Sequence, residues 1–330
     1  MQAFRCRVCD ARLFFENSVC VSCGTALGYS RAERAIVPVD DAGRHVDAEG
    51  LVWHVCRNLN LSGCTWLAAL EGGACESCAL TRVRPNDADL EGLANFVPAE
   101  RAKRHLLYEL DRLGLEVRGK DADPLGGLAF DLLSSSDAQV TIGHVDGVIT
   151  IDLAEGDDVH REKVRDQLDE PYRTMLGHFR HEVGHYFQWQ LVGEGPHTAR
   201  FRELFGDERA DYQEAIDRHY ADGAPADWRA SYISTYATMH PHEDFAETWA
   251  HLLHIHDTVD SAVSHGLVDA ARVERTGDLR ALVTDVWIPL STALNVINRS
   301  MGKDDLYPFA IPAPVLDKLA FAASLLPARS

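Results

Sequence analysis

No cysteine follows Cys78 in this chain of 330 residues, so the last three quarters of the sequence can form neither a disulfide nor a thiolate site. Long apolar runs are also missing. None approaches the ~20 residues that a helix needs to cross a bilayer, and there is neither an internal repeat nor a low-complexity tract. No hydrophobic signal segment precedes Cys6, so a reducing, cytoplasmic setting is the expectation. Basic charge is scarce as well: 32 Lys and Arg stand against 51 Asp and Glu, for a net charge of −19. Residues 1–85 hold nine of each sign, so the whole excess belongs to residues 86–330. Binding to phosphate backbones calls for a Lys/Arg surplus. Neither part has one, which argues against nucleic acid and for a peptide or protein substrate or partner. The acidity serves solubility or the attraction of basic substrates. The length suits one sizeable domain plus a small module.

The eight cysteines fall into two sets of four. Cys6, Cys9, Cys20 and Cys23 form two CxxC pairs, and such turns aim two thiolates each at one tetrahedral zinc ion. Cys56, Cys64, Cys75 and Cys78 form a looser second set, with one CxxC pair and with His54 as an alternative donor. The competing reading for all eight is disulfides, but paired CxxC motifs are commoner in zinc sites than in disulfide frameworks. Residues 1–85 are therefore expected to be a double zinc ribbon, a module that could also engage a protein partner.

The body of the chain carries Arg180-His181-Glu182-Val183-Gly184-His185. On a helix, with ~100° per residue, His181 and His185 lie about 40° apart and can share one metal ion, with Glu182 beside them as a general base. The helical context is present. Asp169 and Pro171 form a start signal, Leu176, Phe179, Val183, Phe187 and Leu191 recur at helical steps, and Gly193 and Gly195 end the run. A catalytic zinc keeps three protein ligands and an open position, so one donor is still required. In His240-Pro-His-Glu-Asp-Phe-Ala-Glu247, Pro241 suits a helix start, and Glu243 and Glu247 fall one turn apart. Glu243 is the expected third ligand, and Glu247 is expected to hydrogen-bond a ligating histidine. Asp244, His240 and His242 remain alternatives. Asp244 otherwise reads as a solvated or capping carboxylate, and His251, His254 and His256 as polar helix-surface residues.

Elsewhere, Thr81 to Asp89 reads as a linker, and Leu90 to Leu113 as a helix interrupted at Pro98 and stopped by Gly114. Leu128–Leu133 and Val140–Leu153 read as strands, with an Asp146-Gly147 hairpin turn. Strands thus precede the HExxH helix, an order that allows an antiparallel edge strand to receive an extended peptide. Asp207 and Glu208 open a further helix, either orienting a histidine or solvated. Leu316 to Leu326 reads as a packing helix.

The segments HEVGHYF, FGDERADY and YATMHPHEDFAETWAHLLHIHDT resemble the bacterial zinc-binding metallopeptidases that carry an N-terminal zinc ribbon, over nearly the whole chain. Tyr236, followed at seven residues by EDFAE, further resembles the catalytic domain of anthrax lethal factor, a gluzincin with a tyrosine and then EFFAE. The resemblance implies His181, His185 and Glu243 as ligands, Glu182 as base, and Tyr236 as the group facing the tetrahedral intermediate. Asp244 departs from it, standing where lethal factor has an aromatic residue. The resulting expectation is an α+β, zincin-like metallopeptidase domain at residues 86–330 behind the ribbon module, with one catalytic and two structural zinc ions. A hydrolase acting on another amide or an isopeptide bond, and a ribbon adaptor that only binds extended chains, are the other readings.

Overall fold

Strands of two to four residues are not stable alone, so the N-terminal module depends on its cysteines and on what it packs against. It contains three small antiparallel arrays: β1 (Phe4–Arg5) with β2 (Arg12–Leu13), β3 (Leu27–Ser30) with β4 (Ala35–Pro38), and β5 (Arg44–Val46), β6 (Val52–Val55) and β7 (Leu67–Ala68). The computed structural model describes residues 1–135, 140, 142–156 and 174–327. Rings of the module meet the first long helix, α1 (Leu90–Arg112): Phe15 lies 4.8 Å and Tyr29 5.9 Å from Tyr108 between centroids. Arg31 forks onto Asp111 of the same helix at 2.7 and 2.6 Å.

The expected linker is partly a strand. Thr81–Val83 is β8, pairing in parallel with β9 (Ala129–Leu133), while Arg82 bonds Asp131 across the pair at 3.0 and 2.6 Å. The ribbon therefore leads directly into the sheet of the second part. That sheet has the order β10-β11-β9-β8, where β10 (Gly143–Val145) and β11 (Val148–Asp152) are antiparallel and the other pairs are parallel. Asp146 and Gly147 take φ angles of 48° and 80°, as a two-residue type I′ turn requires, and among the described residues β10 and β8 are the two edges of the sheet.

Pro98 does not interrupt α1, which runs through it. A mid-helix proline costs ~3 kcal/mol. Burial of Phe96, Leu106, Leu107, Tyr108 and Leu110 on the same helix outweighs that, at ~1.5–3 kcal/mol for each large apolar side chain. The helix stops at Gly114, whose φ is 74°.

Helix α2 (Met175–Phe187) carries the HExxH segment and continues as a π-helical turn, Gln188–Val192, to Gly193. Its cap is Thr174, which accepts from the Gly177 amide at 2.9 Å, whereas the expected signals Asp169 and Pro171 lie outside the described residues. Further along are α3 (Thr198–Phe205), α4 (Tyr212–Asp222), α5 (Pro241–Ser264), α6 (Ile288–Ser300) and α7 (Ala313–Ser324). Helices α2 and α5 form the central pair. A Cβ on Gly184 would stand 2.9 Å from Ala246 Cα, so Gly184 and the small Ala246 let the two backbones approach closely beside His185 and Glu243. Arg180, one residue before His181, is buried and binds Glu109 of α1 at 3.0 Å and Asp257 of α5 at 3.2 Å, locking three helices together. No helix among the described residues is long and apolar enough to cross a membrane.

Candidate metal centres

The packing of α2 on α5 brings His181, His185 and Glu243 into one group, with donor atoms all within 4.8 Å of one another. The two Nε2 atoms are 3.2 Å apart, and Glu243 Oε2 is 3.0 Å from His181 Nε2 and 3.4 Å from His185 Nε2. Glu247, one turn along α5, meets His181 Nδ1 at 2.7 Å. That contact fixes the ring so that Nε2 faces the group, as carboxylates do for metal-bound histidines.

The electrostatics suit a cation. Burial alone would raise the Glu243 carboxyl, but His185 and His181 outweigh it and hold it well below the usual range. Burial alone would lower His181, and Glu243 and Glu247 hold it well above its ordinary value instead. Two imidazole nitrogens and one carboxylate oxygen converging this closely form a donor set that suits zinc.

Glu182 is buried beside this group. Its Oε1 meets His178 Nε2 at 3.2 Å, while Oε2 has no hydrogen-bond partner among the described residues. Burial raises its carboxyl, but the His178 contact and the charge of His185 prevail, so it lies below the ordinary value and stays ionised. An unpartnered buried carboxylate oxygen is costly, and this one is suited to receive a proton. Tyr236 lines the same cleft, its ring 5.7 Å from that of His181. The cleft has a volume of about 1690 Å³ and is bordered by the edge strand β10 through Gly143, His144 and Val145, and by Trp189 of the π-helical turn.

Two sequence expectations, those for Asp244 and His251, need correction. Asp244 is not solvated: it is buried and bonds Lys318 of α7 at 2.6 Å, and burial pushes its carboxyl up to about 7 against the pull of that lysine. His240 caps α5, its Nδ1 accepting from the His242 amide at 3.2 Å, and His242 Nδ1 lies 2.9 Å from Gln188 Oε1. Neither histidine belongs to the donor group. His251 is buried rather than on the surface, with Nδ1 2.9 Å from the Tyr307 hydroxyl. Asp207 and Glu208 pair with Arg209 at 2.7 Å and Arg202 at 3.0 Å. Two polar neighbours escaped the sequence reading. His178 is four residues before Glu182, a spacing that could have revealed it. Tyr212, whose hydroxyl donates to Glu243 Oε1 at 2.8 Å, has no such local signal.

The cysteines form the two expected sets, Cys6, Cys9, Cys20 and Cys23, and Cys56, Cys64, Cys75 and Cys78. Sulfur separations of 3.6 Å for Cys9 and Cys20 and 3.5 Å for Cys64 and Cys75 exceed the ~2.05 Å of a disulfide. His54 is not in the second group. Cys56 Sγ accepts from the Cys75 amide at 3.3 Å and the Asn58 amide at 3.5 Å, contacts that favour a thiolate. The second set is buried throughout, whereas Cys9 and Cys23 of the first are exposed.

Residues 92–325 match the family described as "Putative zinc-binding metallo-peptidase", and residues 3–89 match a zinc-ribbon domain family. The chain belongs to this metallopeptidase family. It is also similar to uncharacterized proteins of Mycobacterium tuberculosis, strain H37Rv, and Mycobacterium bovis, each 52% identical over 331 residues that cover 97% of this chain and 94% of the relative. No solved structure matches it. The chain thus consists of a zinc-ribbon module with two four-cysteine clusters, followed by a mixed helix and sheet domain that matches the metallopeptidase family.

Proposed function

We propose that this protein is a zinc-dependent peptidase in which His181, His185 and Glu243 hold the catalytic metal and Glu182 is the general base. The observation that carries this reading is the convergence of the three donors beside a buried carboxylate whose Oε2 has no partner among the described residues. A zinc ion held there would polarise the scissile carbonyl and acidify a water molecule. Glu182 takes a proton from the attacking water at Oε2 and later delivers it to the leaving amine, while His178 holds Oε1. Glu247 holds the ring of His181. The edge of β10 offers backbone groups to an extended peptide or protein substrate. A module that only binds chains has no use for a base so placed. The four-cysteine clusters hold two structural zinc ions in this reading, and we place the boundary of the two domains at residues 85 and 86, so that β8, at the end of the first, completes the sheet of the second.

Purified protein is expected to hold about three zinc ions, with one removed first by a chelator, because the hydrolase site keeps an open position and the cysteine sites do not. Elemental analysis before and after chelation measures this. Peptide cleavage should disappear with the labile zinc and return on its replacement. Cleavage that persists after its complete removal would exclude the proposed chemistry.

Tyr236 faces the same cleft, and a phenol there can donate to the developing oxyanion. Tyr236→Phe keeps the ring and deletes this bond. Its kcat is expected to fall on the order of 10²-fold with KM little changed. An unchanged kcat in steady-state kinetics would return Tyr236 to a packing role.

A further inference from the structure

We infer that Tyr212 is a positioning residue that keeps Glu243 a one-oxygen ligand, an assignment that rests on the metallopeptidase reading above. Glu243 is 2% exposed, and its two oxygens have different surroundings. Oε2 faces the two histidine nitrogens at 3.0 and 3.4 Å, whereas Oε1 accepts from the Tyr212 hydroxyl at 2.8 Å. A carboxylate can present one or both oxygens to a zinc ion. Three single-atom ligands leave a fourth position for water, and binding through both oxygens would add a fifth donor beside that water. A hydrogen bond to an ionised acceptor is about twice as strong as a neutral one, so the phenol is well placed to withhold Oε1.

The local structure supports a role at the site rather than in the core. Tyr212 is 41% exposed and opens α4, a helix in which Ala215 is the buried residue. Asp211 caps that helix by accepting from the Glu214 amide at 2.9 Å, and Gly206 and Gly223, with φ angles of 99° and 74°, bracket the segment. The Tyr212 ring stands edge-on to His240, the cap of α5, with centroids 5.2 Å apart. The phenol is therefore carried to the first turn of α5 by a helix that contributes little to the core.

The test is cobalt(II) placed in the chelator-emptied site of the full chain, with wild type, Tyr212→Phe and Glu243→Ala compared by visible absorption and zinc affinity. Wild type should show the intense bands of four-coordinate cobalt. Tyr212→Phe should shift to the weaker bands of a five-coordinate ion, with zinc held about 10- to 100-fold less tightly. A spectrum like that of wild type overturns the assignment, and a fall in kcat with that spectrum would place Tyr212 on the substrate instead. Should Glu243→Ala bind cobalt as wild type does, the metal-site reading itself fails, and that result is separable from the other two.

Discussion

Glu182→Gln is expected to retain all its zinc and a normal fold while turnover falls by about 10²- to 10⁴-fold. The amide has the shape of the carboxylate, so it fits the same buried slot and its oxygen can still meet His178. What it lacks is a basic Oε2, the atom that has no partner among the described residues. Metal binding depends on His181, His185 and Glu243, which the substitution leaves in place. Elemental analysis, thermal melting and the cleavage rate of a validated peptide separate these effects. Cleavage at the wild-type rate would remove Glu182 from the mechanism. Comparing protein termini in cells that carry wild type or Glu182→Gln would also identify the substrates.

Neighbouring carboxylates on α5 should give opposite results. Glu243→Ala is expected to lose the labile zinc and the activity, since two histidines alone hold the ion weakly. Asp244→Ala is expected to keep the donor group but lose stability, because it strands Lys318. That lysine is 5% exposed and otherwise bonds the Ser231 carbonyl at 2.8 Å. Breaking a buried ion pair from one side costs about 3–5 kcal/mol. Replacing both partners, as Asp244→Ala with Lys318→Met, should recover much of the loss, since no buried charge is then left unpaired. Zinc content and denaturant midpoints decide between the roles. A well-folded Asp244→Ala protein without labile zinc would transfer the ligand role to Asp244.

The sequence by itself determined those features whose physics is local. Two thiolates three residues apart converge on one ion whatever surrounds them, and the Asp146-Gly147 turn follows from the φ angles those residues tolerate. The four-residue spacing of His181 and His185 puts both rings on one face of α2, and the same spacing puts Glu247 one turn beyond Glu243 on α5. Interactions between distant segments were decided by the tertiary structure. Asp244 read as a solvated or capping carboxylate because its partner, Lys318, is 74 residues away. Pro98 was expected to break α1 because its local cost is visible in sequence, whereas the burial that offsets it depends on the packed core. Thr81–Val83 looked like a linker because three residues carry little strand pattern before β9 lies beside them. Tyr212 reaches Glu243 across 31 residues, and the contact exists only because α4 is folded over the start of α5. A residue's chemistry is written in its side chain, but its partner is chosen by the fold.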